Sequence, residues 1–460
     1  MSSFDNSDPR PVHFVGIAGA GMRALAELLA RRGVVVTGCD ANPGATDDLE
    51  ALGIDVITGH DPSHVSGSRE IIVTSAMPKD HPEIVRAREL GIPIVRRAEA
   101  LGQAVAGGKL VGIAGTHGKT TTTVMTTAAL AAAGLRPTGL AGGRVAEWKG
   151  NLRYESDELF VVEADEYDRS FLTLSPTIAV VTNVEADHLD IYRDLDDITS
   201  TFSRFVRDAA VVVLCSDDAG ASSVNLPASA EVIRYGITSP DARLVAGDIR
   251  STGHATTFSA SYDGDPLGEV ALRVPGHHNV QNALAAIGAG LALGVSLDAM
   301  RDGLLQFGGV ERRFQYLCDV SGVTIVDDYA HHPTEILATI QAARVSYPDR
   351  RIIVAFQPHL FSRTRDFAEA FGQALAKADV VFLTEIYPAR EKPIAGVTSE
   401  LVAAAVERAG RELAWHGPRK QLASALCSFS RDGDVVITIG AGDITRTGPE
   451  LRQQLQTRDR

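Results

Sequence analysis

Cysteine, aromatic residues and long apolar runs are all scarce in this chain. Its four cysteines, Cys39, Cys215, Cys318 and Cys427, lie far apart in 460 residues with no CxxC pair, which excludes a disulfide scaffold. They read as buried thiols. No apolar run approaches the roughly 18 residues that a membrane-crossing helix needs. The polar, slightly acidic start MSSFDNSDPRP lacks the basic-then-apolar order of a secretory signal. A cytoplasmic enzyme with no membrane partner is the expectation. Positive charge is also in deficit: 44 Lys and Arg against 58 Asp and Glu give a net charge of −14, which opposes binding to nucleic acid. An anionic ligand must therefore be held by local devices such as glycine loops and helix N-termini.

What is present is a soluble-domain composition, 45% hydrophobic and 22% charged, in a chain long enough for about three domains. Short β-branched runs alternate with helical periodicity. VHFVGI, MRALAELLARRG, GVVVTGCD, EIIVTSA and HPEIVRARELG form a first α/β unit. The pattern restarts at KLVGIAG with the helix TTTVMTTAALAAAG and the strands LFVVEAD and IAVVTNV. Between about 225 and 275 short alternating strands such as ATTFSASYDG and GEVALRV suggest an antiparallel excursion, after which NVQNALAAIGAGLALG returns to helix. A third restart at VTIVDDYA carries the strands RIIVAFQ, DVVFLTEI and DVVITIGAG. The expected fold is α/β with three domains in series: 1–107, Rossmann-like; 108–316, P-loop ATPase-like; and 317–460, Rossmann-like.

The pentapeptide VGIAG occurs twice. In the second copy Gly115-Thr116-His117-Gly118-Lys119-Thr120-Thr121 follows an apolar strand and opens a helix, the context of a phosphate loop. Backbone N–H groups and the helix dipole face the phosphates, Lys119 reaches the outer ones and the Thr120 hydroxyl can ligate Mg²⁺. The strict motif wants glycine where Ile113 stands, so the loop is a shorter variant. ATP is the expected cofactor. Glu163-Ala164-Asp165-Glu166 and Asp187-His188-Leu189-Asp190 end later strands, where oxygen ligands suit Mg²⁺ and a histidine can complete a second site. In the first copy, Gly16, Gly19 and Gly21 precede Asp40 by about twenty residues, a dinucleotide fingerprint read as Gly19-x-Gly21-x-x-Ala24 with an acidic ribose partner. Physically it licenses a diphosphate flanked by a ribose, whatever the base.

The ordered segments GTHGKTT, VVEADEYDRSFL, TNVEADHLD, GHHNVQNALAA, DDYAHHPTE, FQPHLFSRTRD, IYPAREKPIAGVTS and IGAGDI resemble, over nearly the whole chain, the Mur ligases of peptidoglycan synthesis. The resemblance implies an N-terminal UDP-binding domain, a central ATPase domain and a C-terminal domain that closes over the amino acid. It also implies ATP-driven amide formation on UDP-N-acetylmuramate through an acyl phosphate. By similarity Thr120 and Glu163 hold one Mg²⁺ and His188 the second, with Lys119, Glu163 and His188 as the catalytic set. Asn279, Asn282 and Arg313 face ATP. The UDP-substrate residues are Gly16, Gly19, Gly21, Met22, Asp40, His60 and Ser75. In the third domain Asp328, His331, His332, His359 and Arg363, with Arg365 nearby, face the amino acid and the lactyl carboxylate, for which arginine offers a two-pronged donor.

Two departures narrow the branch. Several relatives carry a CO₂-modified lysine about fifteen residues beyond the DH histidine, whereas Ser203 stands here and no lysine lies between His188 and Ala210. This agrees with the alanine-adding branch and leaves the second metal with fewer identified ligands. Many relatives have arginine where Leu360 follows His359, so a contact from that position does not transfer. The recycling ligase that attaches a tripeptide reads GTFM where this chain has Gly19-Ala20-Gly21-Met22. An NAD oxidoreductase and a regulatory ATP-binding protein are the readings from other classes. L-alanine is the expected second substrate, and the assembly is expected to be a monomer or a homodimer.

Overall fold

The computed structural model describes residues 6–458 other than Pro43, Ala45, Ala76 and Arg390. The first five residues of the N-terminal segment and Arg390 of IYPAREKPIAGVTS lie outside them. The chain divides into two compact units. One is Met1–Ile249 with Phe258–Ala271 and Val280–Gly308; the other is Arg250–Thr257 with Leu272–Asn279 and Gly309–Arg460.

Three sheets carry the fold. The first joins β1 (Val12–Val15), β2 (Val36–Asp40), β3 (Asp55–Thr58), β4 (Glu70–Val73) and β5 (Ile94–Arg96) in the order β3-β2-β1-β4-β5. All four pairings are parallel, so helices must link the strands. Helix Ala20–Arg31 is one such link; its buried residues Met22, Leu25, Leu28 and Leu29 recur at helical spacing.

The second sheet contains β6 (Lys109–Ala114), β7 (Thr138–Val145), β8 (Gly150–Arg153), β9 (Leu159–Glu163), β10 (Ile178–Val181), β11 (Val211–Cys215), β12 (Glu231–Gly236), β13 (Leu244–Thr252), β14 (Ala255–Tyr262) and β15 (Asp265–Leu272). Its order is β15-β14-β13-β12-β11-β10-β6-β9-β7-β8. The predicted antiparallel excursion corresponds to β13–β15, joined by two-residue turns. In the second, Asp263 and Gly264 have φ of 52° and 87°, the both-positive pattern of a tight hairpin. The excursion starts later than the composition suggested, because β12 pairs parallel with β11. The pairing of β7 with β8 is antiparallel and went unread, since these glycine-rich segments lack β-branched alternation.

The third sheet runs β16 (Gln315–Val320), β17 (Val323–Asp328), β21 (Asp434–Ile439), β18 (Arg351–Phe356), β19 (Val380–Thr384) and β20 (Leu413–Gly417). Central strands β17 and β21 are buried at every position, as a parallel strand covered on both faces must be. The edge strand β16 is antiparallel to β17. Cys39 and Cys215 are buried thiols as expected. Cys318, on that edge strand, and Cys427 are only partly covered, because both sit at the rim of a core cluster instead of inside it.

The close packing of helix Leu297–Gln306 on helix Lys119–Ala132 requires a glycine. A Cβ at Gly303, in helix Leu297–Gln306, would lie 2.3 Å from the Ala128 carbonyl oxygen of helix Lys119–Ala132. Gly303→Ala is therefore expected to destabilise the first unit by about 1–3 kcal/mol, read as a lower urea midpoint at unchanged slope.

Candidate active site

The second glycine loop is built by backbone strain and by a clamp. Strand β6 delivers the chain to Gly115, where φ is 144° and a Cβ would stand 1.9 Å from Thr182 Oγ1. Gly118, at φ 80°, starts helix Lys119–Ala132, and its Cβ would meet Asn282 Oδ1 at 2.6 Å. Only glycine suits both positions. The segment after β10 pins the turn. Thr116 N donates to Asn183 O (3.0 Å), His117 N to Asn183 Oδ1 (2.7 Å), and Thr182 Oγ1 to His117 O (2.6 Å). Sequence reasoning assigns Asn183 no role; its side chain, which accepts from His117 N and donates to His117 O, is the available signal.

Lys119 folds back onto its own loop. Its ammonium donates to Gly115 O at 2.6 Å and Thr116 O at 3.1 Å and lies 2.8 Å from Glu166 Oε2. Burial alone would lower the Lys119 pKa, but Glu166, Asp165 and Glu163 outweigh it and hold it above the usual value. Burial pushes Glu166 upward in the same way, and Lys119 with His188 reverses that, keeping it an anion. Glu163 is different. Burial raises it despite hydrogen bonds from Gly142 N and Thr120 Oγ1, the latter at 3.0 Å. Glu163 is thus a buried carboxyl group, held above its usual range although Lys119 lies near it, beside the hydroxyl of the phosphate loop. Two hard oxygens so placed fit Mg²⁺.

His188 Nε2 lies 3.6 Å from Glu166 Oε1 and 3.8 Å from Asp187 Oδ2, so it stands beside the Lys119–Glu166 pair. His188, Asp168 and Arg169 all have φ between 52° and 55°, left-handed backbone that costs about 1–3 kcal/mol at non-glycine residues. Surrounding contacts hold them there: Arg169 binds Asp197 at 2.8 Å and Thr201 at 2.7 Å, and Tyr192 Oη donates to Glu166 O at 2.6 Å. Thr121 is buried in the first turn of the same helix. Asn279 and Asn282 share helix His277–Ala292; Asn279 Nδ2 donates to Pro275 O at 2.7 Å, and Asn282 Oδ1 accepts from Thr122 Oγ1 at 3.1 Å.

At the first glycine loop, Gly16 (φ 84°) and Ile17 donate their N–H groups to Cys39 O, and Ala18 N donates to Asp40 Oδ2 at 3.1 Å. Asp40 therefore orders the loop backbone, an arrangement the fingerprint did not disclose. A Cβ at Gly21 would crowd Arg97 at 3.0 Å, which sets a cation beside the turn. Gly19 caps the following helix and Met22 is buried in it. Ser75 is exposed beyond β4, while His60 Nδ1 lies 3.4 Å from Cys39 Sγ and 3.1 Å from Glu83 Oε2.

In the second unit, Asp328 at the end of β17 accepts from Phe314 N (2.8 Å) and Ala330 N (2.7 Å). His331 N and His332 N donate to Glu335, which also receives Arg313 Nη1 at 3.3 Å. The Arg312 and Arg313 guanidinium groups lie 4.8 and 5.3 Å from the Tyr329 ring. The His331 and His359 rings are 6.0 Å apart, and His359 stacks on Tyr387 at 5.9 Å. Arg363 is buried in helix Phe361–Leu375, whereas Arg365 turns outward onto Asp366 at 2.7 Å. Leu360 is buried at φ 70° and caps that helix. Glu335 is the residue that sequence reasoning missed here; its spacing after His332, three residues into a helix, matches a capping box.

Models of three Mur ligase domains match the chain: the Mur ligase family catalytic domain over residues 11–109, the middle domain over 113–290 and the glutamate ligase domain over 312–442. The chain belongs to the Mur ligase family. It is 43% identical to the UDP-N-acetylmuramate–L-alanine ligase of Geotalea daltonii, covering 97% of this chain and 98% of that one. It is 42% identical to the ligase of the same name from Acidothermus cellulolyticus, with 99% and 98% covered. Among solved structures, the UDP-N-acetylmuramate–alanine ligase of Thermotoga maritima superposes with a TM-score of 0.83 at 28% identity, covering 98% of this chain and all of that one.

Burial raises the Asp328 carboxyl group to about 6, against an ordinary 3.8. The native state then binds this proton more tightly than the unfolded chain does. Its stabilising contribution is complete below the unfolded value and is lost as pH rises through about 6. Asp328→Asn removes this dependence, so its stability relative to wild type should rise by on the order of 2–3 kcal/mol between pH 4 and pH 7, measured by urea unfolding at each pH.

Proposed function

We infer that this Mur ligase joins L-alanine to the lactyl carboxylate of UDP-N-acetylmuramate, using ATP, in the synthesis of peptidoglycan precursors. The observation that carries this reading is identity above 40% across nearly the full chain to ligases of that name, together with a phosphate loop whose lysine, threonine and acidic neighbours are all in place. Residues 1–107 hold the UDP-substrate through Gly16, Gly19, Gly21, Met22, Asp40, His60 and Ser75. Residues 108–316 carry ATP, and 317–460 present the amino-acid site at Asp328, His331, His332, His359 and Arg363.

A carboxylate is a poor electrophile. Transfer of the terminal phosphoryl group of ATP to a lactyl oxygen gives an acyl phosphate and ADP. The alanine amine then attacks the acyl carbon, a tetrahedral intermediate forms, and inorganic phosphate leaves as the amide bond closes. Backbone N–H groups of Gly118 to Thr120, at the start of the helix, cradle the phosphates of ATP, while those of Thr116 and His117 stay on Asn183. Lys119, released from Gly115 O and Glu166 by an incoming phosphate, neutralises charge developing on the transferred group. Asn279, Asn282 and Arg313 position the nucleotide. Mg²⁺, held by Thr120 and Glu163 with a second ion at His188, supplies further charge neutralisation when bound. Glu163, raised by burial, gains its compensating charge in that state.

Purified protein with ATP, Mg²⁺ and UDP-N-acetylmuramate should release phosphate on addition of L-alanine and much less with glycine, L-serine or the tripeptide. Release only with the tripeptide overturns the choice of amino acid, and no release with any acceptor overturns the ligase reading. Lys119→Ala should lower turnover at least about a hundredfold, roughly 2.7 kcal/mol of transition-state stabilisation. It should also destabilise the fold, because Glu166 is left buried without its cation. Lys119→Ala/Glu166→Gln should regain stability in a thermal melt without regaining turnover, which separates the two roles.

A further inference from the structure

The face of the first sheet that lies under helix Pro82–Glu89 holds a cluster that the ligase chemistry leaves unused. It gathers His13 from β1, Cys39 from β2, His64 from the turn Pro62–Val65 and Glu83 from the helix. His13, Cys39 and Glu83 are fully buried, and the His64 side chain is 14% exposed. One donor atom from each of the four lies within 4.8 Å of the others. Glu83 Oε1 is 3.0 Å from Cys39 Sγ and 2.8 Å from His64 Nδ1. Its other oxygen, Oε2, is 3.1 Å from His60 Nδ1 and 3.7 Å from His81 Nδ1, which orients the carboxylate.

Two features go beyond a carboxylate surrounded by hydrogen-bond donors. His13 Nδ1 engages Thr37 Oγ1 at 2.9 Å, while His13 Nε2 is buried with no hydrogen-bond partner among the described residues. A buried polar atom left unsatisfied is costly and needs a reason. An imidazole oriented through one nitrogen with the other left open is the usual arrangement of a metal ligand. The donor set is the second feature: a thiolate and a carboxylate balance a dication, and two neutral imidazoles complete four ligands. Thiolate with imidazole selects zinc over magnesium or calcium.

We propose that His13, Cys39, His64 and Glu83 form a structural Zn²⁺ site. Four protein ligands leave no open position, so the site is not catalytic. Tetrahedral coordination sets donor atoms roughly 3.3–3.8 Å apart, within small side-chain shifts of the observed cluster. Binding displaces the Cys39 thiol proton to solvent. The site braces the first glycine loop, because Gly16 N and Ile17 N both donate to the Cys39 carbonyl and Asp40, the next residue, holds Ala18 N.

The test uses the full chain, stripped with a chelator and titrated with Zn²⁺ or Co²⁺. About one equivalent of Zn²⁺ should bind per chain and raise the melting temperature, and the Co²⁺ form should show thiolate-to-metal charge-transfer absorption. Among the described residues no other cysteine belongs to a group of three or more such donors, so the band reports on this site. Cys39→Ser should abolish the band and weaken Zn²⁺ binding at least about tenfold. His64→Ala, at the rim, should weaken Zn²⁺ comparably while keeping a thiolate band. Uptake below about a tenth of an equivalent, or a band that survives Cys39→Ser, overturns the proposal.

Discussion

The buried pairing of Lys119 with Glu166 is the interaction on which the central site depends. An ammonium with 13% of its side chain exposed faces a carboxylate with 3% exposed, and neither charge could stay in that environment without the other. The pair explains why the loop can form before a nucleotide arrives: the lysine is satisfied by Glu166 and by two carbonyls of its own turn. It also places the cation at the mouth of the glycine loop, where an arriving phosphate can compete for it. The left-handed backbone at Asp168, Arg169 and His188 is the counterpart of this arrangement. Arg169 and Tyr192 anchor the segment that carries Glu166, and that anchoring keeps the strained residues from relaxing.

The proposed function asks a chain of net charge −14 to hold anions. Both glycine loops rely on backbone N–H groups at a strand-to-helix turn, and both turns are held from outside by a side chain. Asn183 does this for the second loop through His117 N, and Asp40 does it for the first through Ala18 N. The clamps differ in charge: Asp40 is anionic and Asn183 is neutral. An aspartate beside the first loop suits hydroxyl and amide donors, whereas a neutral asparagine behind the second leaves the field to Lys119. This difference fits the division proposed for them, one loop gripping a substrate diphosphate and the other serving phosphoryl transfer.

Much of the framework was legible in the chain. Apolar runs such as LVGIA and VVITI became buried parallel strands, because a strand covered on both faces carries few charges along its length. Other elements were not legible. Strand β16 and the β7–β8 pair sit at sheet edges, where half the surface is solvated and the apolar signal is dilute. The roles of Glu166, Asn183 and Glu335 were hidden for another reason: each partners a residue brought to it by folding, and an acidic or amide side chain in a turn reads first as a solvated one.

By itself the sequence determined the three α/β restarts, the two glycine turns and the family, because strand hydrophobicity, glycine's left-handed backbone and ordered motifs are local properties. Tertiary structure decided which charges meet. It set Lys119 against Glu166, Thr120 against Glu163, Asp40 on the loop backbone, and His13, Cys39 and His64 beside Glu83. Those encounters join residues from 19 to 70 positions apart, and only the register of parallel strands and the packing of helices across them can bring such groups within a few ångströms.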